Sequence, residues 1–112
     1  MRDYSLYLKD IVDAMDAIEK FVEGIDFDRF QNDDLISSAV IRKFEIIGEA
    51  SKNIPDDVRG KYPQIPWKEM AGMRDTLIHF YFGIKFDLVW HTIKDIVPVA
   101  KSEIRKILEA FR

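Results

Sequence analysis

The 112-residue chain contains no cysteine. That excludes a disulfide scaffold, a zinc–thiolate site and thiol catalysis, and it gives no support for an oxidising compartment, so a cytoplasmic location is expected. No apolar run approaches the roughly 20 residues of a membrane span. No signal-peptide core follows Met1-Arg2-Asp3-Tyr4 either, because Lys9, Asp10 and Asp13 interrupt it. No membrane contact is expected. Also missing are a phosphate-binding P-loop, a zincin histidine pair, a calcium loop and a Gly-rich dinucleotide turn. Histidine occurs only at His79 and His91. The expectation is therefore a protein without metal or cofactor.

An overall excess of positive charge is lacking too: the net charge is -3. The acid is concentrated at the front. Met1 to Asp34 holds 4 basic and 10 acidic residues, whereas Leu35 to Arg112 holds 13 basic and 10 acidic. A mildly basic second part suits a selective contact with a short phosphate backbone. Salt-driven coating of long duplexes needs many more cations. The acidic first helix is either a solvated face or a partner-docking surface.

What is present is helical periodicity. Tyr4, Leu8, Ile11, Met15, Ile18 and Val22 alternate spacings of four and three, widened by Tyr7, Ala14 and Phe21, with Gly24 as a stop. Ile25 to Asn32 reads as a connection with one turn of helix. Asn32 or Asp33 can cap a second helix to about Asn53, with Ile36, Val40, Phe44, Ile47 and Ile54 inward. Gly48, Ala50 and Ser51 keep it slim for a close neighbour. Pro55 to Pro66 carries three of the four prolines and reads as a helical turn and an extended link. Pro66 opens a third helix whose Trp67, Met70, Ala71, Arg74, Leu77, Ile78 and Tyr81 share a face, ending near Gly83. Asp87 caps a final helix from Leu88 to Phe111, built on Val89, Ile93, Ile96, Ala100, Ile104, Ile107 and Phe111, which Pro98 kinks rather than ends. With no strand alternation or repeat, the expected fold is an all-α up-and-down bundle of four to five helices, one domain over residues 1–112.

Inside the third helix, Arg74-Asp75-Thr76-Leu77-Ile78-His79-Phe80-Tyr81 sets three phosphate-capable side chains in an apolar pattern. Arg74 offers a planar, permanently charged fork, His79 a proton carrier near neutrality, and Tyr81 a modifiable hydroxyl. At about 100° per residue, His79 points roughly 140° from Arg74, and Tyr81 lies about 10 Å along the axis. One straight helix therefore splays the three. Either the helix loosens near His79, as Gly83 permits, or two chains pair so that one protomer's arginine meets the other's histidine; the homodimer is the preferred reading. A structural alternative for Arg74 is an ion pair with Asp75, Glu45 or Glu49. These carboxylates can equally hold the guanidinium in a working rotamer. His91, among ordinary helix-spacing residues, reads as structural or surface.

Arg74, His79 and Tyr81 form an Arg-x4-His-x-Tyr pattern, flanked by Ile41 to Pro55 (IRKFEIIGEASKNIP) and Ile65 to Gly83 (IPWKEMAGMRDTLIHFYFG). Over nearly the whole chain this resembles the HEPN superfamily, and within it the HepT-like toxins. The resemblance implies a metal-independent endoribonuclease, a homodimer with the motif in its cleft and Arg74 and His79 as the cutting pair. It also implies a two-gene toxin–antitoxin pairing in which an MntA-like minimal nucleotidyltransferase antitoxin transfers AMP to Tyr81. The competing expectation is a non-catalytic helical dimer of the same superfamily that binds a nucleotide or a partner.

Overall fold

The structure is a computed structural model that describes residues 3–78 and 85–111, with the side chains of 74–78 outside the description. In chain order the elements are α1 (Tyr4–Phe21), α2 (Phe27–Asn32), α3 (Asp34–Lys52), α4 (Asp56–Lys61), α5 (Trp67–Ile78), α6 (Phe86–His91), a π-helical turn (Thr92–Ile96) and α7 (Val97–Glu109). No strand occurs among the described residues. The fold is an all-α bundle whose four long members are α1, α3, α5 and the continuous α6–π–α7 rod. Helices α2 and α4 are short connectors.

Local chemistry sets the boundaries. The Asp3 carboxylate accepts from the Ser5 amide, Asp26 from Arg29 and Asp33 from Ile36, so three aspartates cap α1, α2 and α3. Asn32 instead bonds back to Asp28 within α2. Beyond α1 the chain reverses through Gly24 at φ 76°, a left-handed conformation that glycine adopts without a Cβ penalty. The end of α3 is closed by a residue from outside it. Arg59 donates from Nε to the Ile54 carbonyl and from Nη2 to the carbonyls of Ser51 and Lys52, satisfying acceptors that a helix C-terminus leaves open. Pro66 starts α5 as expected, its carbonyl accepting from the Met70 amide at 2.9 Å.

Two details of the last rod depart from expectation. Helix α6 begins at Phe86, and Asp87 sits inside its first turn without capping it; no side chain caps α6. Its charge still lies at the favourable, positive end of the helix. The rod passes Pro98 through the π turn, in which the Val97 amide donates to Thr92. A proline ring crowds the carbonyl four residues back and offers no amide, and widening the preceding turn accommodates both. As a result Val97 is fully buried, while Ile96 is only half-buried.

One cluster of buried side chains runs through the described residues, with Leu8, Ile11, Met15 and Ile18 of α1 meeting Val40, Phe44 and Ile47 of α3 and Met70 of α5. Helix α3 packs on both α1 and α5. The buried small residues Gly48, Ala50 and Ser51 lie on it, and the Ser51 hydroxyl is satisfied within the helix by the Ile47 carbonyl at 2.6 Å. On the other side α1 meets α7 through an ionic network: Arg105 bonds both Asp16 oxygens at 2.9 and 3.0 Å, and Lys101 bonds Asp16 at 3.1 Å and also Glu19.

Partial burial works against an ionised Asp16, but the hydrogen bond from Lys101 and the charge of Arg105 outweigh it and hold the carboxyl below the usual carboxylate range. A carboxyl depressed in the folded state stabilises fully above its unfolded value of about 3.9, and that stabilisation is lost as pH falls through the folded value. Asp16→Asn should therefore lower stability at pH 7 by about 1 kcal/mol, the upper end for a partly exposed pair. Urea unfolding should show the difference from the unsubstituted chain closing as the pH is taken below about 4.

Candidate functional site

Helix α5 carries the front of the Arg-x4-His-x-Tyr pattern. Its first turns are anchored by Trp67, Met70 and Met73, all buried, and by the Trp67 indole, whose Nε1–H donates to the Tyr62 carbonyl at 3.0 Å. Arg74 and Asp75 follow directly in the same helical backbone, one turn beyond Met70. His79 and Tyr81 lie outside the described residues, as do the side chains of Arg74 and Asp75. The described structure therefore fixes the rod on which the motif begins.

The two carboxylates expected to support Arg74 are on α3, the helix against which α5 packs. Glu45 is half-buried and Glu49, one turn further, is exposed. Glu45 accepts from Arg42 Nη1 at 3.2 Å, a neighbour on its own helix that the sequence reading did not consider. Both line a hollow of about 430 Å³ between α1 and α3 that also holds Tyr7, Asp10 and Arg42. A second hollow, of about 390 Å³, opens between α5 and the last rod, lined by Gly72, Met73, Leu88 and Ile96 among others. A charged recess thus lies between α1 and α3, and a largely apolar one borders the motif helix. Among the described residues no group of three or more His, Asp or Glu side chains is arranged to hold a metal ion.

His91, read from sequence as structural or surface, is exposed on α6, and its Nδ1 lies 2.6 Å from Asp95 Oδ2 one turn on. Sequence spacing passed over its neighbourhood. Trp90 meets Phe30 at 5.2 Å between ring centroids and Phe27 at 6.2 Å, so α2 and α6 are joined by aromatic rings distant in the chain.

Fold and motif together define a small all-α protein in which the phosphate-capable pattern begins on a helix anchored in the core. The sequence model of the family described as "Ribonuclease HepT-like" matches residues 11–107, a span that includes Arg74, His79 and Tyr81. The chain belongs to the HepT-like ribonuclease family. Among its relatives, a Methanocaldococcus jannaschii protein predicted to be an RNase is 50% identical over 108 residues, covering 96% of this chain and 93% of that one. A predicted ribonuclease HepT of Thermococcus cleftensis is 48% identical over 106 residues, covering 95% and 96%. A predicted RNase of Caldanaerobacter subterraneus subsp. tengcongensis is 42% identical over 103 residues, covering 92% of each. No solved structure gives a significant match.

Met73 is the last buried side chain described before the motif, and it also lines the apolar hollow beside α6. Met73→Ala should cost about 2–5 kcal/mol, the range for truncating a buried methionine. The midpoint of urea unfolding reads this directly, and amide exchange in α5 should accelerate more than in α1.

Proposed function

We propose that the chain is a metal-independent endoribonuclease in which Arg74 and His79 cut RNA. The observation carrying this reading is the family match that spans the whole Arg74 to Tyr81 motif. RNA supplies its own nucleophile, so the enzyme has to move protons and stabilise charge on phosphorus oxygens. His79 takes the proton of the 2′-hydroxyl as O2′ attacks the adjacent phosphorus. The P–O5′ bond breaks, and the leaving O5′ receives a proton from the imidazolium, from water or from the second protomer. The products are a 2′,3′-cyclic phosphate and a free 5′-hydroxyl. Arg74 contacts two non-bridging oxygens with its fork, a contact that tightens as negative charge develops.

The working unit is a homodimer of single domains, each spanning residues 1–112, in the cytoplasm. Helical geometry supports the dimer: a rotation of roughly 140° between Arg74 and His79 lets one straight helix present only one of them to a given phosphate. Asp75, Glu45 and Glu49 hold Arg74 in its working orientation. The packing of α5 on α3, which bears both glutamates, supports that role for them.

In the cell the chain is the toxin of a type VII toxin–antitoxin pair, and its antitoxin is an MntA-like minimal nucleotidyltransferase that transfers AMP to the Tyr81 hydroxyl. The added phosphodiester and adenosine would occupy the groove beside Arg74, repelling the RNA backbone and blocking it by bulk.

His79→Ala should lower cleavage by about 10² to 10⁴, the usual contribution of general acid–base catalysis. Arg74→Lys should also be severe, because the fork is lost. Cleavage by the unsubstituted protein should persist in EDTA. Equal cleavage by His79→Ala, in a timed assay on a defined oligoribonucleotide, would remove the catalytic assignment. For the switch, co-expression with the adjacent nucleotidyltransferase should add AMP-sized masses to the protein. Tyr81→Phe should abolish them, and their survival in that variant would move the modification elsewhere.

A further inference from the structure

The two tryptophans of the chain have opposite environments. Trp67 is buried, and its N–H is satisfied by Tyr62. Trp90 is only half-buried and borders an open hollow of about 420 Å³ together with Phe27, Asp87, His91, Lys94 and Asp95. That volume falls within the range of small-molecule sites, about 300–1,000 Å³.

The ring of Trp90 is braced from behind. Phe30, fully buried, lies 5.2 Å away at an interplanar angle of 37° and is itself packed edge-on by Phe86 at 6.1 Å. Phe27 flanks it at 6.2 Å. On the ring face stands the ammonium of Lys94, 4.7 Å from the centroid. Beside it, His91 directs Nδ1 to Asp95 Oδ2 at 2.6 Å. A rigid aromatic platform with an exposed lysine and a histidine at its edge fits a flat base joined to a phosphate. Asp87, also on the rim, is an acceptor for a base that presents an amino group.

From this arrangement we infer that the Trp90–Lys94 hollow binds one unpaired nucleotide of the RNA strand, a role that rests on the ribonuclease reading above. The base stacks on Trp90, Lys94 leaves the ring for the phosphate, and Asp87 accepts from an exocyclic amino group. Guanine, adenine and cytosine meet that last requirement and uracil does not. The site extends the substrate contact beyond the Arg74 to Tyr81 stretch and makes binding depend on single-stranded RNA. Double-stranded RNA keeps its bases stacked and out of reach.

The test uses the full-length protein and short single-stranded 2′-O-methyl oligonucleotides, in which the attacking hydroxyl is blocked, so titration reads binding alone. Tryptophan emission should be quenched by guanine- or adenine-containing oligomers and little by oligo-uridine. By fluorescence anisotropy of a labelled oligomer, Trp90→Leu should weaken binding about tenfold, within the usual contribution of one base–aromatic stack. Lys94→Gln should weaken it less and reduce the log–log salt slope by about 0.7, the value for one phosphate on a single strand. If Trp90→Leu fails to fold by circular dichroism, the solvent-exposed Lys94→Gln substitution and the emission of the unsubstituted protein still decide the matter. An unsubstituted protein that binds and cleaves RNA, with unchanged affinity and salt slope in Lys94→Gln and no quenching, overturns the nucleotide site and leaves the ribonuclease reading standing. Absence of both binding and cleavage in unmodified protein overturns the ribonuclease reading itself.

Discussion

The packing of α3 between α1 and α5 is the contact on which the rest of the structure depends. It is possible because α3 turns long apolar side chains toward the core at Val40, Phe44 and Ile47 and keeps small buried residues at Gly48, Ala50 and Ser51. Small residues let helix backbones approach. Without this close approach α5 would lack its main support, and the helix that begins the motif would have no fixed direction. Arg59 adds to the same construction by closing the last carbonyls of α3 from the following connector, so the slim helix ends cleanly before the chain turns toward α5.

The ionic network between α1 and α7 acts at the opposite edge. Asp16, Glu19, Lys101 and Arg105 are partly solvated, so their attraction is modest, yet together they set the register of the first and last helices. Nearby, Tyr4 and Phe111 meet edge to face at 5.3 Å and join the two ends of the described chain. The strongly acidic front of the sequence thus has part of its charge engaged inside the molecule, while much of it faces water.

The sequence was most legible where one residue decides a local outcome. Asp33 caps α3, Gly24 takes the left-handed turn, Pro66 opens α5, and the four-and-three spacing of α1 maps onto its buried face. It was least legible where the outcome depends on a distant partner. Asp87 has the chemistry of a cap, but the helix starts a residue before it, at Phe86, whose ring packs on Phe30 from α2. Pro98 announced a disturbance, but its form, a π turn that draws Val97 inward ahead of Ile96, depends on backbone geometry that spacing alone does not encode. The pairing of Glu45 with Arg42 and the Trp90 platform were missed for a related reason, since both became visible only once side chains had been placed. For the motif, spacing exposed the difficulty that one straight helix cannot gather Arg74, His79 and Tyr81, and family membership supplied the chemistry in which that matters.

The central claim is that an RNA 2′-hydroxyl, activated by His79 and assisted by Arg74, is the nucleophile. Its most direct test is the chemical identity of the new ends when unmodified protein cleaves a defined oligoribonucleotide in EDTA, read by mass spectrometry of both fragments. The account predicts a 2′,3′-cyclic phosphate on one fragment and a 5′-hydroxyl on the other. A 5′-phosphate with a 3′-hydroxyl, or complete loss of cleavage in EDTA, would mean that water or a metal-bound species attacks instead and would contradict it.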